Sequence, residues 1–247
     1  MDTCPDASSR PRIALLDASH TVETTRRNFR RELDAELDEF HCPSGDLPSG
    51  FNYDGLVITG SGASVYWNRE WIHALKHWVK AAVDVGLPAL GVCFGHQLLA
   101  DVSGGRVEDM GEYEIGYRTV EHTGHGMLFD GIPNSMTVFT THSDRVAALP
   151  PGGTVLAAND YGIQSFCKDR MYGVQFHPEY DRKTARMITE GKDGQISDAR
   201  LQKVLNGIHA DHYEAACEVK SIFDNFLADI RARTLQRAMA GECRPLR

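Results

Sequence analysis

The chain has 247 residues, 42% of them hydrophobic and 24% charged, enough apolar material for one large domain or one domain with an appendage. Its net charge of -8 argues against a protein that wraps a nucleic-acid backbone. No run approaches a membrane span, and the N-terminus MDTCPDASSRPR lacks the charged-then-apolar order of a signal peptide, so a cytoplasmic protein is expected, with no nucleic-acid or membrane partner. Cys4, Cys42, Cys93, Cys167, Cys217 and Cys243 are scattered, with no C-x-x-C pair, so reduced thiols are expected rather than a disulfide framework or a zinc cluster.

In chain order, residues 1–11 read as a flexible tail. RIALLDA (12–18) is a short apolar run and predicts a buried strand. TVETTRRNFRREL (21–33) predicts a helix, with Thr21 or Thr24 as cap. DEFHC predicts a second strand, ended by the breaker-rich PSGDLPSG. DGLVITG (54–60) predicts a third, followed by the glycine-rich GSGASVYW. Residues 69–86 carry Trp71, Leu75, Trp78, Val79 and Ala82 at helical spacing, with Gly86 as a stop. PALGV then predicts a fourth strand and HQLLADVSGG a helix. This alternation predicts a doubly wound, mostly parallel α/β sheet with helices on both faces.

After residue 105 the character changes. RVED, YRTVEH, SMTVFTTH, TVLAAN, GIQSFC and MYGVQF predict short antiparallel strands packed on the first sheet or extending it. From residue 181 RKTARMITEG, SDARLQKVLNGI and HYEAACEVKSIFDNFLADIRARTL read as helices, with EGKDGQIS as a mobile connector. The expected organisation is a domain over 12–185 and a helical extension, 186–247, packed on it.

Chemistry concentrates in ALGVCFGHQLLA (89–100). Gly91-Val92-Cys93-Phe94-Gly95 has the form G-x-nucleophile-x-G. In a strand–turn–helix elbow the nucleophile sits at a strained backbone position and its neighbours must be small. Cys93 would then lie at a helix N-terminus, which favours a thiolate. The Phe94 N–H would face the space where an oxyanion forms. A buried cysteine at a tight packing point is the alternative. Gly60, Ser61 and Gly62 would bring backbone amides to the carboxyl ends of the strands, where one completes an oxyanion hole. VQFHPEY places His177 and Glu179 two apart after an apolar strand, so the strand period sends both to one face. Glu179 is placed to hold the His177 tautomer and to stabilise its imidazolium. A cysteine elbow with a His–acid pair is the Cys–His–acid pattern of nucleophilic catalysis. His142, Ser143 and Asp144 of TTHSDRV would contribute to a pocket rim, although Asp144 also suits a turn. His73 with His77, His122 with His125, and His209 with His212 lack a third ligand in register and read as solvated, so no metal is expected.

GVCFGHQLLA with GVQFHPEY resembles the class I (triad) glutamine amidotransferase family over roughly residues 12–185, and THSDRV resembles the amidotransferase domain of GMP synthase. The resemblance implies that fold, and Cys93 as nucleophile, His177 as general base and acid and Glu179 as the orienting acid. It implies an oxyanion hole from Gly60, Ser61, Gly62 and Phe94. It implies that Gln97 holds the substrate's amino-acid end, while residues around His142 to Asp144 contact its α-amino or α-carboxylate group. The small-molecule substrate would be glutamine or another γ-glutamyl compound, and no cofactor is called for. Members often carry Gly-Gly-Pro or Gly-Pro-Gly in the oxyanion loop, where this chain has Gly-Ser-Gly. No synthetase domain follows, so the expected roles are ammonia delivery to a separate synthetase partner or action alone as a γ-glutamyl peptide hydrolase. A non-catalytic protein that keeps the fold in a regulatory or binding role is a third reading.

Overall fold

The computed structural model describes residues 10–124 and 126–239, with side chains through Arg233. The predicted tail therefore lies outside the described residues except for its last two, as does His125. The described strands are β1 (Arg12–Asp17), β2 (Glu36–His41), β3 (Gly55–Ile58), β4 (Ala89–Val92), β5 (Arg106–His122), β6 (Ser135–Ala148), β7 (Thr154–Asn159), β8 (Gly162–Lys168) and β9 (Met171–Val174). The helices are α1 (Val22–Glu32), α2 (Glu70–Asp84), α3 (Phe94–Val102), α4 (Arg182–Glu190), α5 (Asp198–Gly207), α6 (Ala210–Cys217) and α7 (Ser221–Met239).

All the strands share one sheet, ordered β2-β1-β3-β4-β9-β8-β7-β5-β6. The run β2-β1-β3-β4-β9 is parallel. From β9 onward every pairing is antiparallel. The fold is thus the expected α/β class, with two refinements. The antiparallel strands extend the sheet rather than pack on it, and parallel and antiparallel pairings contribute equally.

Strand alternation builds a core on each face. Ile13 and Leu15 of β1 join Phe29, Val57, Leu90 and Val92 under α1 and α7. Ala14 and Leu16 point the other way and join Leu56, Ile58, Ile72, Leu75, Val79 and Leu98 under α2 and α3. Both faces of the central strands are covered, which is why they read as unbroken apolar runs. The extension contributes to the first core: Phe223, Phe226, Leu227 and Ile230 of α7 are each 2% exposed or less. The ideal Cβ of Gly55 in β3 would lie 2.7 Å from Ile230 Cδ1, so α7 sits directly on the sheet.

Four elements differ from the sequence expectation. MYGVQF, expected as an antiparallel strand, forms β9, which pairs parallel with β4 and antiparallel only with β8. RVED and YRTVEH belong to one strand, β5, because its register with β6 shifts between Asp109 and Glu114 and Met110–Tyr113 arches out. THSDRV lies inside β6 rather than after a strand, with Asp144 paired to Asp109. The last predicted helix breaks into α6, a 3-10 turn at Glu218–Lys220, and α7. His122, read as solvated, is 8% exposed. Its Nε2 bonds the Ile132 carbonyl at 3.0 Å, its Nδ1 accepts from Gly124 N–H at 3.1 Å, and its ring stacks on Phe129 at 5.0 Å. His73 and His77 are exposed as expected.

If α7 is part of the core, Phe226→Ala should destabilise the fold by about 3–5 kcal/mol, the usual loss for a buried phenylalanine. Urea denaturation measures it; a loss below about 1 kcal/mol would mean that α7 is only appended.

Candidate active site

Cys93 is the hinge between β4 and α3. Its backbone is left-handed, φ 52° and ψ -102°, at the N-cap of α3. Such a conformation costs a non-glycine residue about 1–3 kcal/mol and persists only where surrounding packing enforces it. The enforcement is steric. An added Cβ on Gly91 would fall 2.3 Å from the Gly95 carbonyl carbon, and one on Gly95 would fall 2.4 Å from the Ile58 carbonyl oxygen. Strand β4, the first turn of α3 and β3 therefore touch backbone to backbone, and only glycine fits at either position. The Phe94 N–H opens the helix and has no intrahelical partner. The Phe94 side chain is buried against Trp71, ring centroids 5.8 Å apart.

The loop after β3 lies over this elbow. A Cβ on Gly60 would sit 2.7 Å from His177 Cε1 and 3.6 Å from Cys93 Cβ, so the Gly60 backbone closes onto both residues. Thr59 fixes the adjoining peptide: its hydroxyl accepts from Ala18 N–H at 3.0 Å and donates to the Gly60 carbonyl at 3.1 Å. Ser61 Oγ accepts from Ala63 N–H at 3.1 Å, which shapes the turn, and Gly62 is exposed. Among the described residues neither the Gly60 nor the Ser61 N–H donates a hydrogen bond.

His177 follows β9 in an irregular turn rather than on the strand itself, so the pleat does not align it with Glu179 as the sequence suggested. The turn does so instead. His177 N–H donates to the Phe139 carbonyl at 2.8 Å, and His177 Nδ1 meets Glu179 Oε1 at 2.8 Å. His177 is 5% exposed, Glu179 2% and Cys93 5%. Burial disfavours an imidazolium. It is outweighed by the Glu179 carboxylate, the Cys93 sulfur, and side-chain hydrogen bonds to both, which together push the His177 pKa up to about 10. The elbow and the H-P-E turn therefore meet, although they are more than eighty positions apart in the sequence.

The remaining pocket residues form a second layer. Gln97, 3% exposed, donates from Nε2 to the Asp144 carbonyl at 3.0 Å and to Gln175 Oε1 at 3.1 Å. His142 is 4% exposed, with Nδ1 on the Asp144 carbonyl at 2.9 Å and Nε2 on Glu114 Oε2 at 2.8 Å. Both of its nitrogens are engaged inside the protein, so the ring buttresses the pocket and does not face a ligand. A carbonyl only accepts, so Nδ1 is the donor to the Asp144 carbonyl. Asp144 accepts from the Tyr66 hydroxyl at 2.8 Å, tying the loop after β3 to β6. Ser143, half-buried, lines a cavity of about 460 Å³ together with Asp109, Glu112, Tyr113, Gln195 and Arg200. Glu114, Thr59, Tyr66 and Tyr180 escape the sequence reading. Tyr180 closes the VQFHPEY segment, but nothing in that motif marks its ring; Glu114, Thr59 and Tyr66 act through His142, Ala18 and Asp144, distant in the chain.

A model of the family described as Glutamine amidotransferase class-I matches residues 14–190, and the chain belongs to that family. The glutamine-hydrolyzing GMP synthase of Aromatoleum aromaticum is 33% identical over 181 residues, which cover 68% of this chain and 34% of that protein. The glutamine-hydrolyzing GMP synthase of Staphylococcus aureus is 36% identical over 178 residues, covering 70% of this chain and 33% of that protein. The chain thus spans about a third of the length of these curated relatives. Among solved structures, a glutamine amidotransferase from Thermotoga maritima has a TM-score of 0.75 at 21% identity, covering 88% of this chain and 98% of that one. A glutamine amidotransferase from Methylobacillus flagellatus has a TM-score of 0.75 at 20% identity, covering 92% and 96%. At such identities these likenesses show a shared fold.

The electrostatics of His177 give a signed prediction. A pKa raised from the ordinary 6.5 to about 10 means that the folded state holds a proton the unfolded chain has lost. The associated stabilisation is complete below pH 6.5 and disappears as pH rises through 10. Glu179→Gln removes the strongest raising influence, so the His177 ring should titrate about one to three units lower by NMR, and the alkaline loss of stability should shrink. An unchanged titration would contradict the assignment.

Proposed function

We propose that this class I glutamine amidotransferase hydrolyses the side-chain amide of glutamine through a covalent intermediate on Cys93. The observation that carries the reading is the meeting of three buried groups under one glycine. Cys93 sits on a strained elbow, His177 lies against it, and Glu179 holds the far side of the ring.

The Cys93 thiolate attacks the γ-carbonyl carbon of the substrate. The carbonyl oxygen takes the negative charge and faces the Phe94 N–H and the amides of the Gly60–Ser61–Gly62 turn. Loss of one such donor typically costs about 10²–10³ in rate. His177 gives its proton to the departing nitrogen, ammonia leaves, and a γ-glutamyl thioester remains on Cys93. The now neutral His177 takes a proton from water, which attacks the thioester. Glutamate leaves, and the thiolate–imidazolium pair is restored. Glu179 keeps the ring oriented through both proton transfers. Gln97 and the His142–Glu114 pair fix the Ser143–Asp144 segment that bounds the substrate's amino-acid end.

Ammonia made in this way would pass to a separate synthetase partner, a role supported by the kinship with amidotransferase segments of GMP synthases. The second reading is a γ-glutamyl peptide hydrolase acting alone, the same acyl chemistry with a different leaving amine. A panel of glutamine, γ-glutamyl dipeptides and γ-glutamyl anilides separates the two.

Cys93→Ala should abolish glutamate release while the urea transition stays close to that of the parent chain. Retention of the parent rate by the alanine variant would exclude the thioester route.

A further inference from the structure

We propose that Tyr180 is a positioning residue for His177, its ring face setting the plane in which the imidazole exchanges protons. This rests on the reading of His177 as the proton-transfer group. The Tyr180 and His177 rings stack with centroids 4.1 Å apart and an interplanar angle of 17°. Tyr180 does not float. It packs with Phe139, ring centroids 6.0 Å apart, in a cluster that includes Ala185 of α4 and Ile208. The Phe139 carbonyl also accepts the His177 N–H, so strand β6 supports both rings.

The chemistry explains why a ring belongs there. The Glu179 bond holds His177 Nδ1, and Cys93 and the Gly60 backbone border the ring's edge, but edge contacts do not fix the tilt of the ring plane. A flat ring stacked on its face fixes that tilt. The stacked π face also favours the charged form, because a cation above an aromatic ring meets its negative quadrupole. The groups that face His177 are Glu179 and Tyr180 from its own segment, Cys93 from the start of α3, and the uncharged Gly60 backbone and Phe139. Arg27 and Arg31 of α1 lie one layer out, on the Asp181 carboxylate, with Arg31 also on the Glu179 carbonyl. Burial, reinforced by Glu179 and Cys93, holds the Tyr180 phenol well above its ordinary pKa, so the hydroxyl stays neutral and offers no competing base.

The test compares Tyr180→Phe, which keeps the face, with Tyr180→Leu and Tyr180→Met, which fill the space without one. Two readouts are taken: kcat and KM for glutamine across pH, and the NMR titration of the His177 ring. Tyr180→Phe should stay within about twofold of the parent in both constants. The leucine and methionine variants should lose about tenfold in kcat with little change in KM, and their His177 should titrate about one unit lower. Parent-like kcat and His177 titration in either aliphatic variant would overturn the proposal, as would equal damage in Tyr180→Phe. If the parent chain does not hydrolyse glutamine at all, the functional reading fails separately, and the ring titration still decides whether the stack acts on His177.

Discussion

The backbone strain at Cys93 organises everything around it. A non-glycine residue at φ 52° between β4 and α3 is held there because Gly91, Gly95 and Ile58 approach more closely than any side chain permits. The same crowding sets the sulfur at the carboxyl end of the parallel strands, where α/β sheets present their ligand crevices. Two cores clamp the elbow from opposite faces, so the cost of the strained dihedral is spread over a large buried volume.

The second constraint is electrostatic. An imidazolium buried to 5% exposure needs opposite charge within a few ångströms, and Glu179 supplies it. A second buried histidine–carboxylate contact lies one layer away, with His142 Nε2 2.8 Å from Glu114 Oε2 and Asn159 and Gln164 also donating to Glu114. That network reaches the Asp144 carbonyl, and Gln97 meets it there from α3, one turn beyond Cys93. The pocket wall and the elbow are therefore coupled through hydrogen bonds that exclude water, which makes the geometry rigid before any ligand arrives.

Much of this was legible in the sequence, for physical reasons. Apolar runs such as RIALLD reveal buried parallel strands because both faces are covered, and Gly91 and Gly95 reveal the elbow because backbone contact leaves no substitute. His177 and Glu179 were readable as a pair, although the pleat was the wrong reason: a turn after β9 joins them. What stayed hidden depends on pairing between distant segments. Nothing near Glu114 announces that β6 will bring His142 to it, and the bulge at Met110–Tyr113 exists only in the β5–β6 register. TTHSDRV suggests His142 for the pocket rim because polar side chains follow an apolar run, yet its ring points into the interior network. The placement of α7 was equally invisible, since Phe223 and Phe226 mark a buried helix face without naming the face it covers.

The central claim is that the sulfur at the elbow is the group that takes the γ-glutamyl carbon. The most direct measurement is to treat the protein with 6-diazo-5-oxo-norleucine, an electrophilic analogue of glutamine, and to locate the adduct by peptide mass spectrometry. The account predicts one modification, on Cys93, slowed by excess glutamine, with Cys42, Cys167 and Cys217 untouched. Labelling spread over the other cysteines, or a Cys93 that remains unmodified while the analogue is consumed, would contradict it.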